Sequence, residues 1–272
     1  MLGKFELGVM QGRLVEKYQG RYQAHPVGYW QDEFDRAAEA GLELIEFILD
    51  YNDADLNPLL CAPEKILEVC SKTGVGVRSI CADYFMEAPL QRTEESSAVL
   101  EKLIETAAAV GARDIVIPCV DQSSLTDEVG AKAFCDTITK IAPKAQRLGI
   151  NLSLETDLAP APFATLLARI DSLVVTVNYD SGNSAALGFD PAEEFATYGE
   201  RITDIHIKDR TLGGGPVVLG EGDCDFDTVF ELIASSSFDG PLIMQAYRDD
   251  EGLSMFNRQK AWLFDKYDAV LQ

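Results

Sequence analysis

Four polar residues that can bind a metal ion lie at the ends of apolar, strand-like segments in the C-terminal half of the sequence. Glu155 ends "NLSLE", Asp180 ends "LVVTVNYD", His206 lies in "DIHIKD" and Gln245 ends "PLIMQ". Carboxylate, imidazole and amide groups bind divalent cations such as Mn²⁺, Mg²⁺, Zn²⁺ and Co²⁺, and this mixed set does not select among them. Each residue alone has an ordinary structural interpretation as a packing, capping or solvated residue. Four such residues at equivalent strand ends indicate one metal site.

A repeated unit of the sequence supplies the elements that would position these residues. Helix-like stretches end at a glycine and an apolar strand follows within a few residues, at Gly41, Gly74, Gly111, Gly149, Gly199 and Gly240. Glycine suits this place because the residue that closes a helix often has positive φ. The segment "DSLVVTVNYD" is a further strand without its glycine, and "FELGVM" is the first strand. The pattern therefore predicts eight strands.

The segments between the strands have helical periodicity. In 94–110, Val99, Leu103, Ala107 and Val110 share one face. The same pattern predicts helices at 31–40, 62–73, 127–148, 190–198, 225–235 and 252–270, with a shorter one at 160–170. Because the strands are continuous apolar runs, they suit a parallel sheet that is covered on both faces. Eight such units predict one α/β domain over residues 1–272, a (β/α)₈ TIM barrel with its active site at the C-terminal ends of the strands.

An open, doubly wound sheet is the alternative fold, but no GxGxxG motif follows the first strand. The formal net charge of −22 and the pI near 4.3 oppose binding to nucleic acid or to an anionic membrane. No apolar run approaches the roughly 20 residues that span a bilayer. Six cysteines without a CxxC pair oppose a disulfide framework and a thiolate zinc site, and they suit the reducing cytoplasm. The expected partner is therefore a small molecule.

Five motifs carry a resemblance to a known family: "GVMQGRL" (8–14), "LSLETD" (152–157), "NYDSGNSAALG" (178–188), "DIHIKDR" (204–210) and "LGEGDCDF" (219–226). With them, the whole chain resembles the sugar phosphate isomerase/epimerase superfamily of xylose isomerase-like TIM barrels. The resemblance implies one divalent metal ion held by the ends of strands 5 to 8, which here carry Glu155, Asp180, His206 and Gln245. Strand 8 of the family commonly supplies a glutamate, and Gln245 departs from that pattern. Its amide oxygen can still coordinate a hard cation, but the amide accepts no proton at neutral pH.

The resemblance also implies a reaction on a sugar or sugar phosphate, in which a proton is removed next to a carbonyl and an enediolate forms. Glu155 is then the expected base as well as a ligand. In the two-base epimerases of this superfamily, the glutamates of strands 5 and 8 work on opposite faces of the substrate. Gln245 leaves Glu155 alone, so the sequence favours isomerisation over epimerisation. Glu46, Asp83 and Lys208 are the candidates for a second proton-transfer group.

Six polar side chains are candidate contacts to the substrate: Arg13, Glu46, Asn183, Lys208, Arg210 and Arg248. Lys208 shares the strand parity of His206, so it would hold a hydroxyl or stabilise negative charge as a catalytic group, unless it forms a structural ion pair. Arg210 resembles a substrate-contacting position of the family. The other arginines are shaped for a phosphate or carboxylate, with a surface position as the alternative. Glu46 is a hydroxyl acceptor in this interpretation, and Asn183 either reaches the substrate or shapes its turn.

Three other functions remain as alternatives or are excluded by composition. A DNA-repair nuclease of the same superfamily uses several histidines, whereas this chain has two and a strongly negative charge. A metal-dependent dehydratase or lyase acting on a keto-polyol shares the ligands and the first proton abstraction. A catalytically silent sugar-binding barrel is the non-enzymatic alternative, and Gln245 is its best support. Barrels of this kind often form dimers, so a homodimer is the expected assembly.

Overall fold

Eight parallel strands close into a barrel in the computed structural model, which describes residues 5–250 and 252–271. The strands are β1 (Leu7–Met10), β2 (Leu44–Ile48), β3 (Ser79–Cys81), β4 (Asp114–Cys119), β5 (Asn151–Thr156), β6 (Val175–Asp180), β7 (Ile202–Ile207) and β8 (Leu242–Met244). Each strand pairs in parallel with its neighbours in sequence, and β8 pairs with β1 to close the barrel. The predicted (β/α)₈ TIM barrel is confirmed, and the open sheet is wrong. Residues 1–4, Glu251 and Gln272 of the predicted 1–272 domain lie outside the described residues.

One long helix follows each strand, at the positions that the periodicity predicts. The helices are α1 (Trp30–Glu39), α2 (Pro63–Thr73), α3 (Glu94–Val110), α4 (Glu128–Leu148), α5 (Pro160–Ile170), α6 (Pro191–Tyr198), α7 (Phe226–Ser235) and α8 (Leu253–Val270). Gly74, Gly111 and Gly149 close their helices with positive φ, as predicted. Gly199 is an exception with φ of −55°, because a 3₁₀ turn continues directly from α6. No helix of the described chain is long and apolar enough to cross a membrane.

Three short helices that the periodicity did not predict follow β2, β3 and β6: Pro58–Cys61, Tyr84–Glu87 and Ser181–Leu187. They contain four to seven residues, which is too short to show a helical repeat. Ser181–Leu187 begins directly at the end of β6, where Asp180 caps it by accepting a hydrogen bond from the Asn183 backbone N–H at 2.8 Å. This helix therefore lies at the rim where the site is expected.

The interior of the barrel carries both apolar and polar layers. Met10, Ile48, Cys81, Val116 and Ile243 form a small apolar cluster that is separate from the main core between strands and helices. Polar side chains are buried inside the barrel as well, namely Glu46, Asp114, Asp204 and His206 at 0–2% exposure. Buried ionisable groups are costly unless they are paired or bind a cation. These polar layers therefore point to function.

Candidate active site

Glu155, Asp180 and His206 converge at the C-terminal mouth of the barrel. They come from adjacent strands, and Asp180 pairs in register with His206. One ligand atom from each lies within 4.8 Å of the others. His206 Nδ1 is 3.3 Å from Glu155 Oε2 and 3.8 Å from Asp180 Oδ2. The structure thus brings together three of the four predicted ligands on buried side chains.

The other ring nitrogen of His206 faces a carboxylate beneath it. Nε2 lies 2.8 Å from Glu46 Oε1, and Ser79 Oγ donates to Glu46 Oε2 at 2.5 Å. A histidine that binds a metal usually donates its second N–H to such a group, which fixes the ring orientation. Glu46 is 0% exposed and does not line the cavity. The prediction that Glu46 contacts the substrate is therefore replaced by a role in orienting His206.

Two asparagines hold the carboxylate of Glu155. Asn178 donates to Glu155 Oε2 at 2.8 Å, and Asn183 donates to Glu155 Oε1 at 2.6 Å. The Asn178 amide nitrogen also lies 3.1 Å from His206 Nδ1. Asn178 was missed in the sequence, although it shares the strand parity of Asp180 and so faces the same side of β6. Asn183 therefore acts through Glu155, and it also lines the cavity.

The surrounding charges favour positive charge at the convergence point. Burial lowers the pKa of His206, but Glu46, Asp180 and Glu155 outweigh it and hold this pKa well above its usual value. Burial likewise opposes ionisation of Asp180, yet Lys208 and His206 lower the pKa of this carboxyl overall. Negative carboxylates around an imidazole create a place where a cation is stabilised. A bound divalent ion would supply that charge in place of a proton.

Gln245 lies one residue beyond β8, at the mouth of the same barrel. Its Nε2 donates to Gln23 Oε1 at 3.3 Å, while its buried Oε1 has no hydrogen-bond partner within the described chain. A buried oxygen without a partner is costly, and a hard cation satisfies it. Two carboxylates, an imidazole and this amide oxygen fit Mn²⁺, Mg²⁺, Zn²⁺ or Co²⁺.

A second group of potential ligands lies deeper in the barrel, where Glu46, Asp204 and His206 approach one another within 4.8 Å. Both carboxylate oxygens of Asp204 are buried without a described partner, and burial raises the pKa of Asp204 well above its usual value. This group uses the Nε2 side of His206, whereas Glu155 and Asp180 use the Nδ1 side. The upper group adjoins the cavity through Glu155, so it is the one that a substrate can reach.

A cavity of about 510 Å³ adjoins the candidate ligands. Its lining includes the predicted residues Arg13, Glu155, Asn183, Lys208, Arg210 and Gln245. Lys208 Nζ lies 3.3 Å from both Asp180 Oδ2 and Asn183 Oδ1. The Arg210 guanidinium donates to Asn183 Oδ1 at 2.8 Å and to the Gly214 carbonyl oxygen. Lys208 and Arg210 therefore connect the cavity wall to the candidate ligands.

The guanidinium groups of Arg13 and Arg248 are engaged by the protein itself. Arg13 donates to the carbonyl oxygens of Ala246 and Tyr22 and to Gln23 Oε1. Arg248 donates to backbone carbonyl oxygens through all three of its nitrogens, including those of residues 12 and 15. Arg248 is 3% exposed and is not among the cavity-lining residues. The prediction that it binds a substrate anion is therefore replaced by a role in holding the loop after β1.

A buried aspartate shapes the loop beyond β7. Asp209 is 0% exposed, and its carboxylate accepts hydrogen bonds from the backbone N–H groups of Gly220, Gly222 and Cys224 at 2.9 to 3.2 Å. The same loop contributes Gly213 and Pro216 to the cavity lining. Asp209 was not singled out in the sequence, although it lies within the motif "DIHIKDR". It positions the cavity wall rather than the ligands.

Comparisons with known proteins agree with the fold. A model of the xylose isomerase-like TIM barrel family matches residues 34–265. The L-ribulose-5-phosphate 3-epimerase of Salmonella paratyphi A is 26% identical over 246 residues, which are 84% of this chain and 86% of the relative. A solved L-ribulose 3-epimerase superposes with a TM-score of 0.77 at 14% identity, covering 98% of this chain and 95% of the other. A xylose isomerase-like TIM barrel protein from Mycobacterium smegmatis in complex with magnesium has a TM-score of 0.75 at 18% identity, covering 100% and 99%. The chain belongs to the xylose isomerase-like TIM barrel family.

Proposed function

We propose that this protein is a divalent-metal-dependent sugar epimerase that removes a proton from the carbon next to the carbonyl of a ketose. The observation that carries the proposal is the convergence of Glu155, Asp180 and His206 beneath a cavity of about 510 Å³. The 26% identical relative is an epimerase, which supports an enzyme of the isomerase class. A barrel that only bound sugar would have no need of a carboxylate base beside a metal ion.

A divalent cation bound by these residues and Gln245 would orient the substrate oxygens and stabilise the negative charge of the enediolate. Glu155 is the proposed base, because it is the ligand carboxylate that lines the cavity. Asn178 and Asn183 hold its two oxygens in place. Glu155 accepts the proton, and the C–H electron pair becomes part of the enediolate double bond. Lys208 directly follows β7, and its Nζ lies 3.3 Å from Asp180 Oδ2. Its ammonium group would stabilise the negative charge that develops on the enediolate.

The cavity lining favours a sugar without a phosphate group. A volume of about 510 Å³ is typical of a small-molecule site. The cationic side chains of the lining, Arg13, Lys208 and Arg210, are bonded to other protein groups. Asp121 and Asp157 add negative charge to the same lining. A phosphate would have to displace existing hydrogen bonds and approach these carboxylates, so we assign an uncharged ketose to the site.

Aldose–ketose isomerisation is the second candidate, and Gln245 is the observation that favours it. An isomerase needs one base that returns the proton on the same face of the enediolate, and Glu155 suffices for that. A dehydratase would begin with the same abstraction and then release water. The three reactions are separated by their products: an epimer, an aldose or a dehydrated keto-sugar.

The test is a substrate panel with metal-reconstituted protein. Ketopentoses, ketohexoses and their phosphates are incubated with protein that contains Mn²⁺ or Co²⁺, and the products are identified by NMR. Glu155→Gln is expected to lower turnover by roughly 10²- to 10⁴-fold, the usual contribution of a general base. Asp157→Asn, which changes another cavity-lining carboxylate, is the matched control and should keep turnover within a few-fold. Failure of the parent protein to turn over any sugar, or full activity of the Glu155 variant, would contradict the proposal.

A further inference from the structure

Epimerisation requires a second proton-transfer group that Gln245 does not provide. The proton leaves one face of the substrate carbon and a different proton must reach the opposite face. An amide side chain neither accepts nor releases a proton near neutral pH. The second group must therefore come from elsewhere in the cavity wall.

Four acidic side chains line the cavity among the residues that the structure describes: Asp83, Asp121, Glu155 and Asp157. Glu155 lies within β5, Asp157 directly follows this strand and Asp121 follows the neighbouring β4, so these three share one side of the mouth. Asp83 instead lies two residues beyond the end of β3. It is the acid of this set that lies farthest from β5 around the barrel.

We propose that Asp83 is the second proton-transfer residue of this site and serves the face of the substrate opposite Glu155. The inference rests on the proposed epimerase function and identifies the group that completes it. Of the three candidates that the sequence left open, Glu46 lies buried beneath His206 and Lys208 is paired with Asp180. Asp83 is the candidate that has a carboxylate in the cavity wall.

A chain of hydrogen bonds through Gln23 links Asp83 to Gln245, the residue that follows β8. Gln245 donates to Gln23 Oε1 at 3.3 Å, and Gln23 in turn donates to Asp83 Oδ2 at 2.8 Å. Gln23 belongs to the loop after β1, four strands from β5, whereas Asp83 itself follows β3, two strands from β5 around the closed barrel. Cys81 Sγ donates to the other carboxylate oxygen, Oδ1, at 3.2 Å. The carboxylate is thus held at the cavity wall and linked through Gln23 to the residue that follows β8, three strands from β5.

The environment of Asp83 suits a group that both accepts and releases protons. Burial raises the pKa of Asp83 to about 6, and the nearby carboxylates of Asp50 and Glu155 add to this effect despite hydrogen bonds from Gln23 and Cys81. General acid–base catalysis is most effective when the pKa lies near the working pH. Both protonation states are therefore accessible close to neutrality.

The proton balance of the proposed cycle is simple. Ionised Glu155 takes the proton of the C–H bond from one epimer, and the C–H electron pair enters the enediolate. Protonated Asp83 then gives its proton to the opposite face, and the enediolate pair forms the new C–H bond. The reverse direction uses ionised Asp83 as the base and protonated Glu155 as the acid. Exchange with solvent resets the two carboxyl groups between turnovers.

Deuterium exchange tests the assignment with Asp83→Asn in metal-loaded protein. Each epimer of the substrate found in the panel is incubated separately in D₂O, and NMR follows both epimerisation and deuterium incorporation. Epimerisation is expected to fall by roughly 10²- to 10⁴-fold. The epimer whose proton faces Glu155 should still exchange that proton, whereas the other epimer should not. Retained exchange on one epimer also shows that the variant folds and binds metal. Asp121→Asn, an exposed acid of the same cavity, is the control and should leave both rates within a few-fold.

Two results would overturn the role of Asp83 while leaving the proposed function intact. One is epimerisation by Asp83→Asn within tenfold of the parent rate. The other is an equal loss of exchange from both epimers, which would indicate a merely structural role. If the parent protein neither epimerises a ketose nor exchanges its proton, the proposed function itself fails and the assignment of Asp83 fails with it.

Discussion

Replacing Glu46 with glutamine tests how the barrel interior prepares His206 for a metal ion. The two side chains are both 0% exposed, and Glu46 Oε1 lies 2.8 Å from His206 Nε2. The change keeps the size of the side chain and an acceptor oxygen but removes the negative charge that holds the imidazole. We expect the variant to fold and to bind divalent metal more weakly.

The magnitude follows from the kind of contact that is lost. A hydrogen bond to a charged group contributes about 1.5–3 kcal/mol. At about 1.4 kcal/mol for each tenfold change, this corresponds to a roughly 10- to 100-fold increase in the Kd for metal. The range agrees with the loss of about 10- to 100-fold that follows removal of a group behind a metal-bound histidine. Glu46→Gln should lie at the lower end, because its amide oxygen still accepts from Nε2–H.

Calorimetric titration of chelator-treated protein with Mn²⁺ measures the effect, and circular dichroism verifies folding. Asp204→Asn is the matched control, because Asp204 is equally buried in the barrel interior but makes no described hydrogen bond to His206. It should change the Kd by less than about threefold. The reasoning is refuted if Glu46→Gln binds Mn²⁺ like the parent protein. It is also refuted if Asp204→Asn weakens binding while Glu155→Gln does not, since the ion would then lie on the Nε2 side of His206.

Three further predictions concern stability, the loop after β7 and the substrate. Folded Asp83 has a pKa of about 6, against 3.8 as the ordinary value, so its ionisation costs the folded state stability as the pH rises from about 4 to about 6. Asp83→Asn should remove this pH dependence of stability and increase the free energy of unfolding at pH 7, measured by urea titration, by about 1–3 kcal/mol. A variant whose free energy of unfolding still falls between pH 4 and pH 6 as in the parent protein would contradict this. Asp209→Ala leaves three backbone N–H groups without their acceptor. We therefore expect faster hydrogen exchange at residues 220–224 and a higher KM for the substrate. Protection from exchange equal to that of the parent protein would argue against the role of Asp209. An unphosphorylated ketose should have a kcat/KM at least tenfold above that of its phosphate, and the reverse preference in the same assay would refute the argument from the cavity charges.

Local sequence patterns were sufficient to predict the barrel and the candidate ligands. Apolar runs, helical periodicity and closing glycines are properties of neighbouring residues, and eight such units have one familiar closed arrangement. Because all strands of that barrel end at one rim, Glu155, Asp180 and His206 were expected to meet before their distances were known. The structure brings their ligand atoms within 4.8 Å of one another.

Contacts between distant parts of the chain decided the remaining roles, and the sequence carries no local signal for them. Arg13 was a candidate for binding a phosphate or carboxylate, but its Nε donates to the carbonyl oxygen of Ala246, more than 200 residues away in the sequence. Glu46 lies 2.8 Å from His206, 160 residues away in the sequence, because closure of the barrel through β1 and β8 brings β2 and β7 around one interior. The approach of Gln23 to Asp83 depends on how the loop after β1 folds over the mouth. Local patterns in the chain therefore predict the barrel and the residues at its rim, whereas packing between distant segments sets which polar groups face the cavity and which hold the others in place.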